Sequence, residues 1–211
     1  IDTGLKHGTV TVLCGKEPIE ITTFRIDGSY TDARHPENVR FTSCLSEDLS
    51  RRDFTVNALV YAPQSGLIDL FGGLDDIAAK TLRCIGEPKK RFSEDALRIL
   101  RALRFSAKLD FAIEPQTALA AVELRGLLAR ISAERITSEL LILFEKGVPN
   151  RLASLLTEFR PIFLQIFPEL AEVSVGQYVT LCALAARLPA GREDEAYENL
   201  RFSYFLAASG C

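Results

Sequence analysis

Apolar residues follow two different spacings along this sequence, and the change of spacing separates a strand-rich beginning from a helical remainder. Residues 8–13 (GTVTVL) and 19–26 (IEITTFRI) are rich in β-branched residues, and the intervening residues 15–17 (GKE) favour a hairpin turn. After Pro88 the apolar residues recur at helical spacing. The pattern therefore predicts an α+β fold in which strands come first and helices follow.

The clearest helical pattern lies at residues 91–105 (RFSEDALRILRALRF). Ser93 is a favourable N-cap residue, two acids follow it where the helix dipole favours anions, and neither Gly nor Pro interrupts the stretch. We expect a single helix of about three to four turns. Its polar residues spaced three apart, each about 4.5 Å further along the axis, are Asp95, Arg98, Arg101 and Arg104.

This row of one acid and three arginines has two interpretations. It is either a solvated helix face, with an Asp95–Arg98 pair that contributes a few tenths of a kcal/mol, or a surface that binds a small polar group beside a polyanion. The local charge favours the second interpretation, because residues 81–108 contain eight Lys and Arg against three acids, although the whole chain carries −3. A basic patch on an acidic protein is compatible with a phosphate-bearing ligand.

Three further segments carry candidate chemistry. Arg52 suits contact with a phosphate and Asp53 suits a ribose hydroxyl, with Asn57 placed to support the turn, although a surface salt-bridge cluster is the common alternative. Glu20 is a candidate because a carboxylate in the middle of a strand is unusual. Residues 67–77 (LIDLFGGLDDI) could carry chemistry, but a strand, a glycine turn and a capped helix start explain them equally well.

Helices are also expected from Pro115 to about residue 124 and after Ser132, which is a favourable cap. In the second of these helices, Glu134, Arg135 and Glu139 are expected to support packing rather than chemistry. Residues 149–211 predict several short helices and contain no chemical motif.

The totals limit the class of protein. The chain is 47% hydrophobic and 25% charged, as in ordinary globular domains, and it has no apolar run near the roughly 20 residues that cross a membrane. Its five cysteines show no paired spacing, so we expect reduced thiols in the cytoplasm and no disulfide partner. Two histidines exclude a histidine-rich metal centre. The absence of Met and the abrupt start within a strand region predict a fragment of a longer chain.

Four segments occur together in a recognisable order: RRDFTVNA (51–58), LIDLFGG (67–73), EDALRILRALRF (94–105) and SAERITSEL (132–140). With TGLKHGTVTV (3–12) and EITTFR (20–25), they resemble the class II tRNA nucleotidyltransferases, a family of CCA-adding enzymes and bacterial poly(A) polymerases. The resemblance implies a partial nucleotidyltransferase palm with an antiparallel or mixed sheet, followed by an all-helical neck and body. The implied domains are a head at 1–85, a neck at 86–145 and a body fragment at 146–211.

The resemblance also implies roles for individual residues. Asp95 and Arg98 would contact the base of the incoming nucleotide, and Arg101 and Arg104 would extend that site along the helix. Arg52 would contact the phosphates and Asp53 the ribose, with Asn57 supporting the turn. Glu20 would be the third catalytic carboxylate and a ligand of Mg²⁺, while the family's glycine-rich loop and Asp-x-Asp pair are expected upstream of residue 1.

The implied reaction is attack of a tRNA 3′-hydroxyl on the α-phosphate of CTP or ATP, with release of pyrophosphate and with Mg²⁺ as cofactor. Cytosine and adenine both present an amine donor beside a ring-nitrogen acceptor, and a fixed Asp and Arg complement that pair. Uracil and guanine present the opposite pattern, and each unmatched buried group costs about 1–3 kcal/mol. The alternatives are a poly(A) polymerase, a CC- or A-adding specialist, or a non-catalytic RNA-binding module.

Overall fold

The computed structural model describes residues 8–27, 39–188 and 200–209. The strands are β1 (Thr9–Cys14), β2 (Glu17–Thr22), β3 (Arg25–Asp27), β4 (Val39–Phe41), β5 (Leu59–Ala62), β6 (Gly66–Asp69), β7 (Thr81–Leu82) and β8 (Ala112–Ile113). The helices are α1 (Leu45–Ser50), α2 (Gly73–Ala78), α3 (Pro88–Glu94), α4 (Leu97–Leu109), α5 (Pro115–Glu123), α6 (Ala133–Lys146), α7 (Pro149–Glu158), α8 (Arg160–Ile166), α9 (Val175–Arg187) and α10 (Leu200–Ser209). The α+β class and the change to helix after Pro88 are confirmed.

The strands of the described residues form two-stranded ladders. Three are antiparallel pairs, β1 with β2, β3 with β4, and β5 with β6, whereas β7 and β8 pair in parallel. The predicted first hairpin is confirmed, with Thr11 opposite Glu20. The strand predicted at 19–26 is instead two strands, because β2 ends at Thr22 and β3 begins at Arg25 on another ladder.

The prediction of one helix over residues 91–105 is wrong. Helix α3 ends at Glu94, and Asp95 has an extended backbone with φ −143° and ψ 104° before α4 begins at Leu97. The Asp95 carboxylate accepts a hydrogen bond from the backbone N–H of Leu97 at 3.1 Å. A short acidic side chain that satisfies a free amide in this way competes with the helix and starts a new one. Ser93 bonds to the Lys89 carbonyl inside α3 and is no N-cap.

The main hydrophobic core continues from the strand region into the last helix. It includes Phe54 and Leu82 from the first part, Leu100 and Leu103 from α4, and Phe205 from α10. The apolar face of α4 therefore packs within this core, and the polar residues of α4 lie at its edge. The core crosses both boundaries, at 85 and 145, that the sequence predicted.

Other expectations from the sequence have clear outcomes in the described residues. Pro115 begins α5, as predicted, and Ser132 precedes α6 without forming a side-chain cap bond. No helix of these residues is long and apolar enough to cross a membrane. The cysteines described, Cys14, Cys44, Cys84 and Cys182, are free thiols. Burial raises the pKa of the Cys84 thiol to about 12.

Candidate nucleotide-binding site

The turn after α1 carries the Arg-Arg-Asp motif and is organised by Asp53. One oxygen of this buried carboxylate accepts from the backbone N–H of Phe54 at 2.9 Å and from the Asn57 amide at 3.0 Å. The other oxygen accepts two N–H groups of Arg101, from Nε at 2.9 Å and from Nη2 at 2.5 Å. Burial acts to raise the pKa of Asp53, but the charge of Arg101 and these hydrogen bonds outweigh it and hold the pKa below its usual value.

Arg52 is the most open of the candidate arginines, with a side chain that is 37% exposed. Its Nη1 donates to the Asn57 carbonyl at 2.9 Å, and its Nη2 lies 3.5 Å from Asp48. The buried Nε atom of Arg52 has no hydrogen-bond partner. Because its only carboxylate contact among the described residues is long, Arg52 keeps more of its charge available for a ligand than the other candidate arginines do.

Asp95 lies at the break between α3 and α4, not on a continuous helical row. Its Oδ1 is occupied by the Leu97 amide, and its Oδ2 lies 3.8 Å from Nη2 of Arg135 on α6. The side chain is 20% exposed. Oδ2 is thus held only loosely by the protein and can accept a further donor.

Arg98 is buried, with 7% of its surface exposed, and its guanidinium is bound on several sides. Nη1 donates to Glu94 at 2.9 Å and to the Arg91 carbonyl at 3.2 Å, while Nη2 donates to the Arg51 carbonyl at 3.2 Å. These bonds tie α4 to α3 and to the end of α1. Arg98 is therefore a fixed guanidinium that also supports the fold.

Arg101 and Arg104 follow on the same face of α4 and share a partner on α6. Glu139 accepts from Nε of Arg104 at 2.5 Å and lies 3.9 Å from Nη1 of Arg101. Both guanidiniums lie over the ring of Phe105, at 5.4 Å for Arg101 and 4.3 Å for Arg104. Phe105 in turn makes an edge contact with Phe54 of the Arg-Arg-Asp turn, with ring centroids 5.8 Å apart.

The tertiary structure thus brings the two sequence motifs together. Arg98 reaches the Arg51 carbonyl, and Arg101 reaches Asp53, across 47 and 48 residues of sequence. We call the contact formed by Arg51 and Asp53 with Arg98 and Arg101 the head–neck contact. Arg52, a partly exposed cation, lies on the same turn as the Asp53 carboxylate, which binds α4 through Arg101.

Comparison with known proteins identifies the family to which this chain is related. A poly A polymerase head domain matches residues 1–83, and a domain described as a probable RNA and SrmB-binding site of polymerase A matches residues 110–173. A CCA-adding enzyme of Enterococcus faecalis is 44% identical over 178 residues, which are 84% of this chain and 43% of that protein. One from Streptococcus suis is 53% identical over 135 residues, 64% of this chain and 34% of that protein.

A solved structure agrees. The crystal structure of the Bacillus stearothermophilus CCA-adding enzyme in complex with CTP matches with a TM-score of 0.68 and 35% identity, over 100% of this chain and 52% of that one. The chain belongs to the family of class II tRNA nucleotidyltransferases and bacterial poly(A) polymerases. It spans less than half the length of the curated relatives named above.

The metal site expected of a nucleotidyltransferase is not formed by the residues that the structure describes. Glu20 lies on β2, a strand whose residues are exposed, and faces Thr11 across the ladder. No group of three His, Cys, Asp or Glu side chains in residues 8–27, 39–188 and 200–209 is arranged to hold a metal ion. A Mg²⁺ ion needs several oxygen ligands, so Glu20 alone does not make a site.

The glycine turn of this family member has a structural explanation. Asp69 accepts from the backbone N–H groups of Phe71, Gly73 and Leu74 at 3.2, 3.0 and 2.9 Å. Gly73 is required by close packing, because a Cβ atom there would lie 2.5 Å from the Thr55 carbonyl oxygen. Strand, glycine turn and helix start therefore follow one another as predicted. The turn packs against Thr55, two residues after the Arg-Arg-Asp motif.

Sequence reasoning missed two acids that hold the candidate site. Glu94 pairs with Arg91 at 2.8 Å and with Arg98 at 2.9 Å. Asp48 is 1% exposed and bonds to both arginines of the Arg-Arg-Asp motif. A signal was present in each case, since Glu94 lies four residues before Arg98 and Asp48 lies three before Arg51, which are the spacings of helical ion pairs.

Proposed function

We propose that this chain carries the nucleotide-recognition part of a template-independent nucleotidyltransferase that adds CMP and AMP from CTP and ATP to the 3′ end of tRNA, with release of pyrophosphate. The observation that carries the proposal is the head–neck contact, in which the phosphate-facing motif and the base-recognition motif share hydrogen bonds. The family relationship to CCA-adding enzymes, and the complex of the Bacillus stearothermophilus enzyme with CTP, support this assignment.

Within the proposed site, Asp95 accepts from the exocyclic amine of cytosine or adenine, and Arg98 presents the fixed donor beside it. A guanidinium held by Glu94 and two carbonyls cannot rotate to suit another base. Rigid donors and acceptors discriminate because a mismatched base leaves buried polar groups unpaired, at a cost of about 1–3 kcal/mol each. UTP and GTP are thereby rejected without a nucleic-acid template.

Arg52 and Asp53 divide the remainder of the nucleotide between them. Arg52 binds phosphate oxygens, because it is 37% exposed and its carboxylate contact is long. Asp53, with the amide of Asn57 on one oxygen and Arg101 on the other, orders the turn and accepts a ribose hydroxyl as an additional donor. Arg101 and Arg104 supply positive charge along α4, although each is already paired with a carboxylate.

Mg²⁺ dependence, with Glu20 as one ligand, stays a prediction of family membership, and no step of the proposed recognition requires the ion. The cytoplasmic location likewise stays a prediction, based on unpaired cysteines. The division into a head domain at 1–85, a neck at 86–145 and a body fragment at 146–211 stays a proposal, although the hydrophobic core continues across both boundaries.

The proposal is tested by calorimetric titration of the chain with CTP, ATP, UTP and GTP. We expect CTP and ATP to bind at least about tenfold more tightly than UTP and GTP. In an Asp95→Asn variant the preference should collapse, because an amide offers both a donor and an acceptor. The matched control is Asp110→Asn at the other end of α4, an exposed left-handed position that Asn tolerates. Equal affinity for all four nucleotides would contradict the proposal.

Catalysis is tested on the complete gene product with a tRNA that lacks its 3′ end, supplied with CTP and ATP separately and together. Addition of two C residues and one A indicates a CCA-adding enzyme. Long A tails indicate a poly(A) polymerase. Binding of RNA without extension would support the non-catalytic module.

A further inference from the structure

One buried carboxylate near the candidate site has no role in the proposed chemistry. Asp48 lies in the short helix α1 and is 1% exposed. An ionised carboxylate in such a place is destabilising unless charges and hydrogen bonds compensate it. Burial acts to raise the pKa of Asp48, but hydrogen bonds from Arg51 and from the Arg25 amide, with the charges of Arg51 and Arg52, hold it below its usual value.

The contacts of Asp48 are unequal on its two oxygens. Oδ1 accepts from Arg51, with Nη2 at 2.7 Å and Nε at 3.0 Å, and from the backbone N–H of Arg25 in β3 at 3.1 Å. Oδ2 has a single long contact of 3.5 Å to Nη2 of Arg52. The same carboxylate thus binds the first arginine firmly and the second one loosely.

This inequality separates the tasks of two adjacent arginines. Arg51 is 19% exposed in its side chain, and its Nε also donates to the Arg25 carbonyl at 3.0 Å, so it joins α1 to β3. Arg52 is held between Asp48 and the Asn57 carbonyl and stays 37% exposed. Two neighbouring guanidiniums repel each other, and a carboxylate between them removes that repulsion. Without Asp48, nothing described in the structure would fix the Nη2 side of Arg52.

We propose that Asp48 is a positioning residue for nucleotide binding, which acts by holding Arg52 so that its guanidinium meets the phosphates. The proposal rests on the proposed function, because it assumes that Arg52 contacts a nucleotide. It also extends the candidate site to α1, a helix that carries none of the residues expected from the sequence.

The test is titration of the wild-type chain and of Asp48→Asn with CTP and with CMP, at a temperature where circular dichroism shows both to be folded. Positioning predicts about tenfold weaker CTP binding in Asp48→Asn, as for the loss of one charge-assisted hydrogen bond. Removal of a negative charge by itself predicts the opposite sign, since an anionic ligand would bind more tightly. Glu114→Gln, a similar charge removal at the start of α5, measures that general effect.

Two comparisons distinguish positioning of Arg52 from a purely structural role of Asp48: CTP against CMP, and Asp48→Asn with and without Arg52→Ala. If Asp48 acts through Arg52, its replacement weakens CTP more than CMP, and it has no further effect in an Arg52→Ala variant. Equal weakening of both ligands, or full additivity with Arg52→Ala, would overturn the inference. If Asp48→Asn does not fold, Asp48→Glu keeps the charge but moves the oxygens, and unchanged CTP affinity in Asp48→Glu overturns the inference in the same way.

Failure of the inference and failure of the proposed function give different results. If wild-type binds CTP and Asp48→Asn binds it equally well, the role of Asp48 is wrong and the nucleotide site stands. If the wild-type chain binds neither CTP nor inorganic triphosphate, both are wrong.

Discussion

The head–neck contact and the helical body are stabilised by opposite means. In the contact, the partly exposed Arg101 pairs with Asp53, and on the adjoining turn the partly exposed Arg52 pairs with Asp48. In the body, Arg201 is 5% exposed and donates to the backbone carbonyls of Phe144, Gly147 and Leu188. The partly exposed Arg52 and Arg101 can also reach a ligand, whereas the buried Arg201 closes helix ends.

The two regions also differ in how closely their aromatic rings pack. Around Phe205 the rings of the body lie close together, with centroids 5.2 Å away for Phe144 and 6.4 Å away for Tyr178. Next to the head–neck contact, Phe54 and Phe105 form an edge-to-face pair with centroids 5.8 Å apart. Charge pairs stabilise the head–neck contact, and apolar burial stabilises the body. A change of pH should therefore weaken the contact, and a substitution that opens a cavity should destabilise the body. Arg98 combines both modes, since it binds Glu94 and two carbonyls.

The largest expected effect is on the body. Phe205→Ala should lower the free energy of unfolding by about 3–5 kcal/mol, because it opens a cavity among closely packed rings. Urea denaturation measures the change, and Leu184→Ala, at a residue that is 44% exposed, is the control with little effect. A loss below about 1 kcal/mol would show that the body relaxes around the cavity.

Arg98→Ala comes next and tests whether this residue only recognises nucleotide. A residue that only recognised nucleotide would alter base choice and leave folding unchanged. The structure predicts a loss of stability as well, because two carbonyls lose a donor at about 1–3 kcal/mol each. Arg201→Ala is the matched body variant. Both variants should unfold at a lower urea concentration than the wild type, and only Arg98→Ala should lose the preference for CTP over UTP. An unchanged preference would show that Arg98 has a structural role only.

Acidification should weaken the head–neck contact through Asp53. Its pKa is lower in the folded than in the unfolded protein, so its contribution to stability is present at neutral pH and is lost as pH falls from about 5 through the folded pKa. In Asp53→Asn the free energy of unfolding should therefore depend less steeply on pH between about 5 and 2. An identical slope in wild type and variant would mean that the Arg101 pair adds nothing.

The smallest effect is expected where a charge pair is fully solvated. Lys89 and Glu123 form such a pair at 2.7 Å, with side chains 57% and 42% exposed. Water and salt screen this pair, and Lys89→Ala should leave the urea midpoint unchanged. A clear shift would show that surface pairs matter here as much as those of the head–neck contact do.

Much of the fold could be predicted from sequence because it depends on local rules. β-branched runs separated by a glycine gave the first hairpin, Pro115 gave the start of α5, and the apolar spacing of residues 97–103 gave the buried face of α4. The break at Asp95 was missed, since good helix formers surround it; the structure shows it in the extended backbone of Asp95 and in the bond to the Leu97 amide. The strand interruption after Thr22 has no comparable local signal.

The sequence by itself determined the kinds of chemistry available: an acid and arginines at helical spacing, an Arg-Arg-Asp turn, and motifs in the order of a known family. Only the tertiary structure decided which of these groups remain available to a ligand. Asp53 binds Arg101 across 48 residues, Asp48 is buried between two arginines, and Glu20 lies on an exposed strand opposite Thr11. The reason is physical: residue type and spacing fix what a side chain can donate or accept, but partners distant in sequence decide whether it is already bound.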